Sequence, residues 1–165
     1  GVIVHEAAHM LFCKLFGLAI LDVKFFRLVT VGPAGYVVHE PTDRFWPTFF
    51  ISCGPFIINS LLCFIVCLSV FLPIRFFGLQ SPEYYVMGWL GLSIGMHAFP
   101  SNQDAQNLWS LAKQKIKTGN YLVCLVFPIV VLVHIGNILA MLWADFFYAI
   151  GVGLLLPELI MKTLL

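Results

Sequence analysis

Charged residues are scarce in this chain: nine Lys and Arg and eight Asp and Glu make up only 10% of its 165 amino acids. About a quarter of the residues in a soluble domain are charged, so the composition excludes an ordinary soluble domain. The net charge is only +1, and no basic arm or interleaving of basic and aromatic residues is present. Nucleic acid is therefore not an expected partner.

The chain also lacks paired cysteines and repeats. None of its five cysteines forms a CxxC pair, and all lie in apolar segments, so we expect small buried side chains and no disulfides. No internal repeat, low-complexity tract or appended soluble domain is visible. The sequence predicts one membrane-embedded domain over residues 1–165, with a core over 1–110 and additional helices over 119–165.

Hydrophobic residues make up 61% of the chain and are gathered in long runs. A helix needs about 20 residues to cross the hydrocarbon core of a bilayer. The runs predict helices over 1–20, 46–74 and 83–99, followed beyond residue 119 by two helices that turn near Trp143 to Asp145 or by one long tilted helix. We expect an all-α integral membrane protein, a polytopic bundle of about four to five transmembrane helices in the lipid bilayer.

A segment with strand character follows the first helix. Residues 23–31 are rich in β-branched and aromatic residues, and the GPAG sequence at 32–35 is typical of a turn. We therefore predict a short β-hairpin that pairs 25–31 with 35–39. It could pair with an extended substrate strand, or it could be a simple connector.

The most informative motif is HEAAH, which runs from His5 to His9. Residues four apart share one face of a helix, so the two imidazoles can bind one Zn²⁺, and Glu6 beside them can act as a general base. This pattern is typical of zinc peptidases, and here it lies in an apolar segment.

A catalytic zinc site needs a third protein ligand, which HEAAH does not supply. Asp104 is the candidate because it follows the helix break at Pro100, close to an intramembrane histidine, His97, which is the alternative ligand. Asn59 lies inside an apolar run, where a polar group faces either a site or a neighbouring helix.

Three blocks of the chain, in the expected order, resemble the site-2 protease family of intramembrane zinc metallopeptidases. They are HEAAH, GPFIIN at 54–59 and PSNQDAQNLW at 100–109. The resemblance implies that His5, His9 and Asp104 are the zinc ligands and that Glu6 is the base. It departs from the family pattern at Gln103-Asp104-Ala105, where Leu-Asp-Gly is usual, and at Asn59, which lies one residue further from Gly54-Pro55.

We therefore expect an intramembrane zinc metalloendopeptidase that hydrolyses peptide bonds of membrane-embedded substrates, as in regulated intramembrane proteolysis. Glu6 and Asn59 are the expected catalytic residues, with Asn59 holding the substrate backbone or the developing oxyanion. Two alternatives are a catalytically inactive membrane scaffold and a metal-handling transporter. Glu6 distinguishes them, because neither alternative needs a base between two ligands.

Basic residues predict the orientation in the membrane. An alternating topology puts most of them on one side, with Arg75 alone on the other; they are Lys24, Arg27, Arg44, Lys113, Lys115 and Lys117. The positive-inside rule makes that side cytosolic, so we expect a multi-pass protein, in the cell membrane, with its active site toward the cytosol. The segment 101–117 has the composition of an interfacial helix or of a solvated loop.

Overall fold

The computed structural model describes residues 1–28, 32–140 and 142–164. The described chain is mostly helical and contains one small sheet. Its elements in order are α1 Val2–Leu15, β1 Ile20–Lys24, β2 Tyr36–His39, α2 Phe45–Phe77, α3 Pro82–Met96, α4 Asn102–Lys117, α5 Tyr121–Ala140, α6 Ala144–Ile150, a π-helical turn Gly151–Leu155 and α7 Leu156–Leu164.

The central element is α2, which is 33 residues long and contacts α1, α3, α4 and the π-helical turn. Among the described residues, two helices are long and apolar enough to cross a membrane: α2 and the continuous helix Ala144–Thr163. The helices α1 and α3, at 14 and 15 residues, are shorter than a span. The predicted helical fold is thus confirmed, and the number of four to five spans stays a prediction.

The hairpin after α1 exists, but its predicted first strand is wrong. The strand that pairs with β2 is β1, at Ile20–Lys24, and its register sets Lys24 opposite Tyr36, with an irregularity near Ile20. Hydrophobic burial selects this register, because Ile20 and Val37 then pack on a buried cluster formed by Cys13, Leu18 and Ile51. Residues 29–31 of the predicted strand lie outside the described residues.

The largest buried cluster joins α2, α4 and α5; it consists of Phe45, Phe49, Cys53, Leu108, Ala112, Val123 and Val130. Leu108 and Ala112 place the apolar face of α4 against protein, since both are completely buried. The segment 101–117 is therefore a helix as one alternative predicted, but protein rather than lipid covers its apolar face.

The C-terminal part turns between two helices at Trp143, which was one of the two predicted alternatives, and Trp143 adopts a left-handed conformation with φ 63°. Small residues let α2 approach its neighbours closely. A Cβ added at Gly95 would lie 2.7 Å from Cys63 Sγ, and one at Gly153 would lie 2.9 Å from Cys67 Sγ. All five cysteines are free, and all except Cys124 are buried, which is the expected role of small apolar side chains.

Candidate metal centre

The two histidines of HEAAH meet on one face of α1. Their Nε2 atoms lie 3.1 Å apart, because residues four apart on a helix stand one above the other. His9 is only 7% exposed, and Glu6 between the two is equally buried. The helix therefore brings together the two imidazoles that the spacing predicted.

Asp104 reaches the same point from the start of α4. Ser101 and Asp104 form a capping box, in which the Asp104 backbone N–H donates to Ser101 Oγ and the Ser101 N–H donates to Asp104 Oδ2 at 3.1 Å. The same Oδ2 lies 3.4 Å from His9 Nε2. Burial raises the pKa of Asp104, but the contacts with His9 and Ser101 lower it by more, so its pKa lies below the ordinary value and the carboxylate form prevails.

The other ring nitrogen of each histidine is held by a backbone carbonyl. His5 Nδ1 lies 2.7 Å from the His97 oxygen, and His9 Nδ1 lies 2.9 Å from the Ile51 oxygen. A carbonyl oxygen only accepts, so each Nδ1 carries a proton, and a neutral imidazole then has a bare lone pair on Nε2. Two such lone pairs and a carboxylate repel one another unless a cation lies among them, which is either a metal ion or a proton on Nε2 of His9.

The spacing of these atoms suits a tetrahedral metal ion. Ligand bonds of about 2.0–2.1 Å to zinc put neighbouring ligand atoms roughly 3.3 Å apart, close to the 3.1 and 3.4 Å observed. Among the described residues, His5, His9 and Asp104 form the group whose donor atoms all lie within 4.8 Å of one another. The donor set of two imidazoles and one carboxylate fits zinc, and it also suits other divalent transition metals.

A cavity of about 850 Å³ opens beside this group. Its walls come from α1, from β2 with the turn before it, from the start of α2, and from the segment that joins α3 to α4. The lining includes His5, Glu6, His9, Tyr36, Val37, Val38, His39, Ile51, Met96, His97, Phe99, Pro100, Asp104 and Asp145. The volume lies within the range of about 300–1,000 Å³ that is usual for ligand pockets.

Glu6 lines this cavity beside the three donors. Gly35, in the turn before β2, packs directly on it, since a Cβ at Gly35 would lie 2.7 Å from Glu6 Cγ. The turn before β2 thus packs on the side chain of Glu6.

The structure places Asn59 behind the centre rather than in the cavity. Its side chain is completely buried, and its Nδ2 donates to the carbonyls of Ile94 at 3.1 Å and His97 at 2.9 Å. It thereby joins α2 to the end of α3. The direct substrate contact expected of Asn59 stays a prediction, and the observed contact is the helix–helix hydrogen bond that was the alternative.

His97, the alternative third ligand, is not drawn into the group. Its Nδ1 donates to the Ser93 carbonyl at 2.8 Å, on its own helix, while its backbone oxygen serves His5. His39 lines the cavity, and His134 stacks on Trp109 with ring centroids 5.2 Å apart, which agrees with a packing role.

Sequence reasoning missed the groups that hold the ligands in place. The carbonyls of Ile51 and His97 carry no side-chain signal, because any residue supplies a backbone oxygen. The Ser101 cap did have one, the Ser-x-x-Asp spacing that is typical of a helix start.

Comparison of the chain with family models, with curated proteins and with solved structures gives no significant match. The functional assignment therefore stands on the residues and the geometry described above.

Proposed function

We propose that this protein is an intramembrane zinc metalloendopeptidase that hydrolyses peptide bonds of membrane-embedded protein or peptide substrates. The observation that carries the proposal is the convergence of two imidazole Nε2 atoms and a carboxylate next to a buried glutamate in one cavity. The resemblance of the HEAAH, GPFIIN and PSNQDAQNLW blocks to site-2 proteases supports the same activity.

Each residue has a distinct role in this proposal. His5, His9 and Asp104 would hold the ion, and zinc with an open coordination position supplies polarisation of a carbonyl and acidification of water. Glu6 takes the proton of the attacking water on its carboxylate and returns it to the leaving amide nitrogen, as a C–O bond forms and the C–N bond breaks. Asn59 supports His5 through the His97 carbonyl.

The cavity explains how a membrane segment could reach these groups. Strand β2 forms part of its wall and pairs with β1 on one edge only in the described sheet. A substrate in extended form exposes its carbonyls, whereas a helix uses them in its own hydrogen bonds. We therefore expect substrates whose transmembrane helix is weakened near the cleavage site by residues such as Gly or Asn.

The membrane setting rests on two helices of sufficient length and hydropathy, α2 and Ala144–Thr163. A multi-pass arrangement in the cell membrane, with the metal centre toward the cytosol, is part of the proposal and follows from the positive-inside distribution of Lys and Arg. It predicts that a cysteine introduced near Lys113 or Lys115 reacts with probes applied from the cytosolic side.

The test compares purified wild-type protein with Glu6→Gln and Asp104→Ala, and uses Glu83→Gln as a matched control, since Glu83 is an exposed carboxylate in the first turn of α3. Zinc content and cleavage of a model transmembrane peptide are measured together. We expect about one zinc per chain in the wild type and in Glu6→Gln, cleavage lowered at least about 100-fold in Glu6→Gln, and loss of zinc in Asp104→Ala.

Other outcomes would redirect the assignment. Zinc binding without any cleavage by the wild type would favour the inactive scaffold or the metal transporter. Full zinc retention in Asp104→Ala would remove Asp104 from the ligand set and return His97 to it.

A further inference from the structure

We propose that Pro55 is a positioning residue of the metal centre: because it has no N–H, it leaves the Ile51 carbonyl free to hold the Nδ1 of His9. The proposal assumes the metal centre of the proposed function but not its peptidase chemistry.

The free carbonyl follows from the position of Pro55 inside α2. In an α-helix the carbonyl of a residue accepts from the N–H four residues later. For Ile51 that residue is Pro55, which lies within the helix and has no N–H to donate. The Ile51 oxygen instead accepts from His9 Nδ1 at 2.9 Å.

The surroundings make this hydrogen bond specific. Ile51 is 4% exposed and His9 is 7% exposed, so solvent has little access to this pair of residues. The neighbouring Gly54 lets α1 come close enough, since a Cβ there would lie 2.3 Å from the Phe12 ring. The Gly-Pro pair therefore supplies both the close approach and the acceptor.

The second ligand is held in a parallel way at the end of α3. The N–H four residues after His97 belongs to Ser101, and it donates to Asp104 Oδ2 instead of turning back to His97. The His97 carbonyl is thus available to His5 and to Asn59. Each of the two histidines thus has its Nδ1 bound by a carbonyl outside the helical pattern, which leaves Nε2 for the metal ion that the site would hold.

The test uses a second proline of the same helix as control. Pro73 also lies inside α2, near the end remote from the site, and does not line the cavity. Co²⁺ and Zn²⁺ affinities of metal-free Pro55→Ala, Pro73→Ala and wild-type protein are measured by competition titration in detergent. An alanine N–H at position 55 competes for the Ile51 oxygen, so we expect Pro55→Ala to bind metal about 10- to 100-fold more weakly and Pro73→Ala to bind it like the wild type.

A second variant separates the missing N–H from the packing of the proline ring. Lactic acid in place of Pro55, introduced by nonsense suppression, lacks both the ring and the N–H, and we expect it to keep wild-type metal affinity even if Pro55→Ala does not fold. ¹⁵N spectra of the metal-free protein should show His9 protonated on Nδ1 in the wild type and in the lactic acid variant.

Two results would overturn the proposal: wild-type metal affinity in a folded Pro55→Ala protein, or equal losses in the alanine and lactic acid variants, which would assign the effect to ring packing. Its failure is separable from that of the peptidase. A protein that binds metal but cuts no peptide refutes only the peptidase, and an active peptidase whose Pro55→Ala variant binds zinc normally refutes only the role of Pro55.

Discussion

Replacement of Asn59 tests the two hydrogen bonds that join α2 to the end of α3 behind the candidate metal centre. Asn59→Ala removes two hydrogen bonds from a completely buried amide. Neither acceptor is left without a partner, since the Ile94 carbonyl also accepts from the His97 N–H and the His97 carbonyl also accepts from His5. The loss is therefore the net value of two bonds, about 0.6–1.5 kcal/mol each inside a helical bundle.

Two further terms decide the total for Asn59→Ala. The missing amide leaves a small void, which adds about 1 kcal/mol. Asn59 Oδ1 has no hydrogen-bond partner among the described residues. Its removal therefore relieves the cost of burying an unpaired oxygen, which stabilises the variant by about 1 kcal/mol. We expect Asn59→Ala to lower the free energy of unfolding by about 1–3 kcal/mol.

Two other substitutions of Asn59 should change the stability by different amounts. Asn59→Leu fills the space without an unpartnered oxygen and should be milder than Asn59→Ala. Asn59→Asp points a carboxylate at two carbonyl oxygens and should be the most destabilising, by more than about 4 kcal/mol if it stays charged. Denaturant titration in detergent, followed by helical circular dichroism, gives this order. A neutral Asn59→Ala, or an Asn59→Asp protein as stable as Asn59→Leu, would refute the hydrogen-bond assignment.

Two other predictions concern the approach of α1 to α2 and the hairpin. Gly54→Ala should separate the helices, because the added methyl would meet the Phe12 ring. We expect it to lower the free energy of unfolding by about 1–3 kcal/mol and to weaken zinc binding. Thermal unfolding and zinc titration check this, and unchanged values of both would contradict it. The Tyr36 hydroxyl donates to Asp22 at 2.7 Å and lowers the pKa of that carboxyl, so the gain from this contact is present above the ordinary Asp pKa and is lost as the pH falls through the lowered pKa. Tyr36→Phe, which keeps the ring, should raise the pKa of Asp22 toward its ordinary value in an NMR titration, whereas an unchanged pKa would exclude the hydroxyl as its cause.

Local patterns were enough to predict the helices and half of the site. The HEAAH spacing placed His5 and His9 on one face, because that relation depends only on the pitch of a helix. The scarcity of charge and the long apolar runs predicted the helical class, since a helix satisfies its backbone hydrogen bonds within its own segment. The Pro100 break before Asp104 likewise indicated where a helix would end.

The other features of the fold and of the candidate site depend on tertiary packing. Asp104, and not His97, lies with His5 and His9 because of where α4 begins relative to α1. The register of the hairpin depends on which strand covers the Cys13 cluster. The covering of α4 by α2 and α5 is a packing result that its amphipathic composition leaves open. Most of all, the carbonyls that hold the two histidines are backbone atoms of other helices, and a backbone atom acquires a role only when packing brings a donor to it.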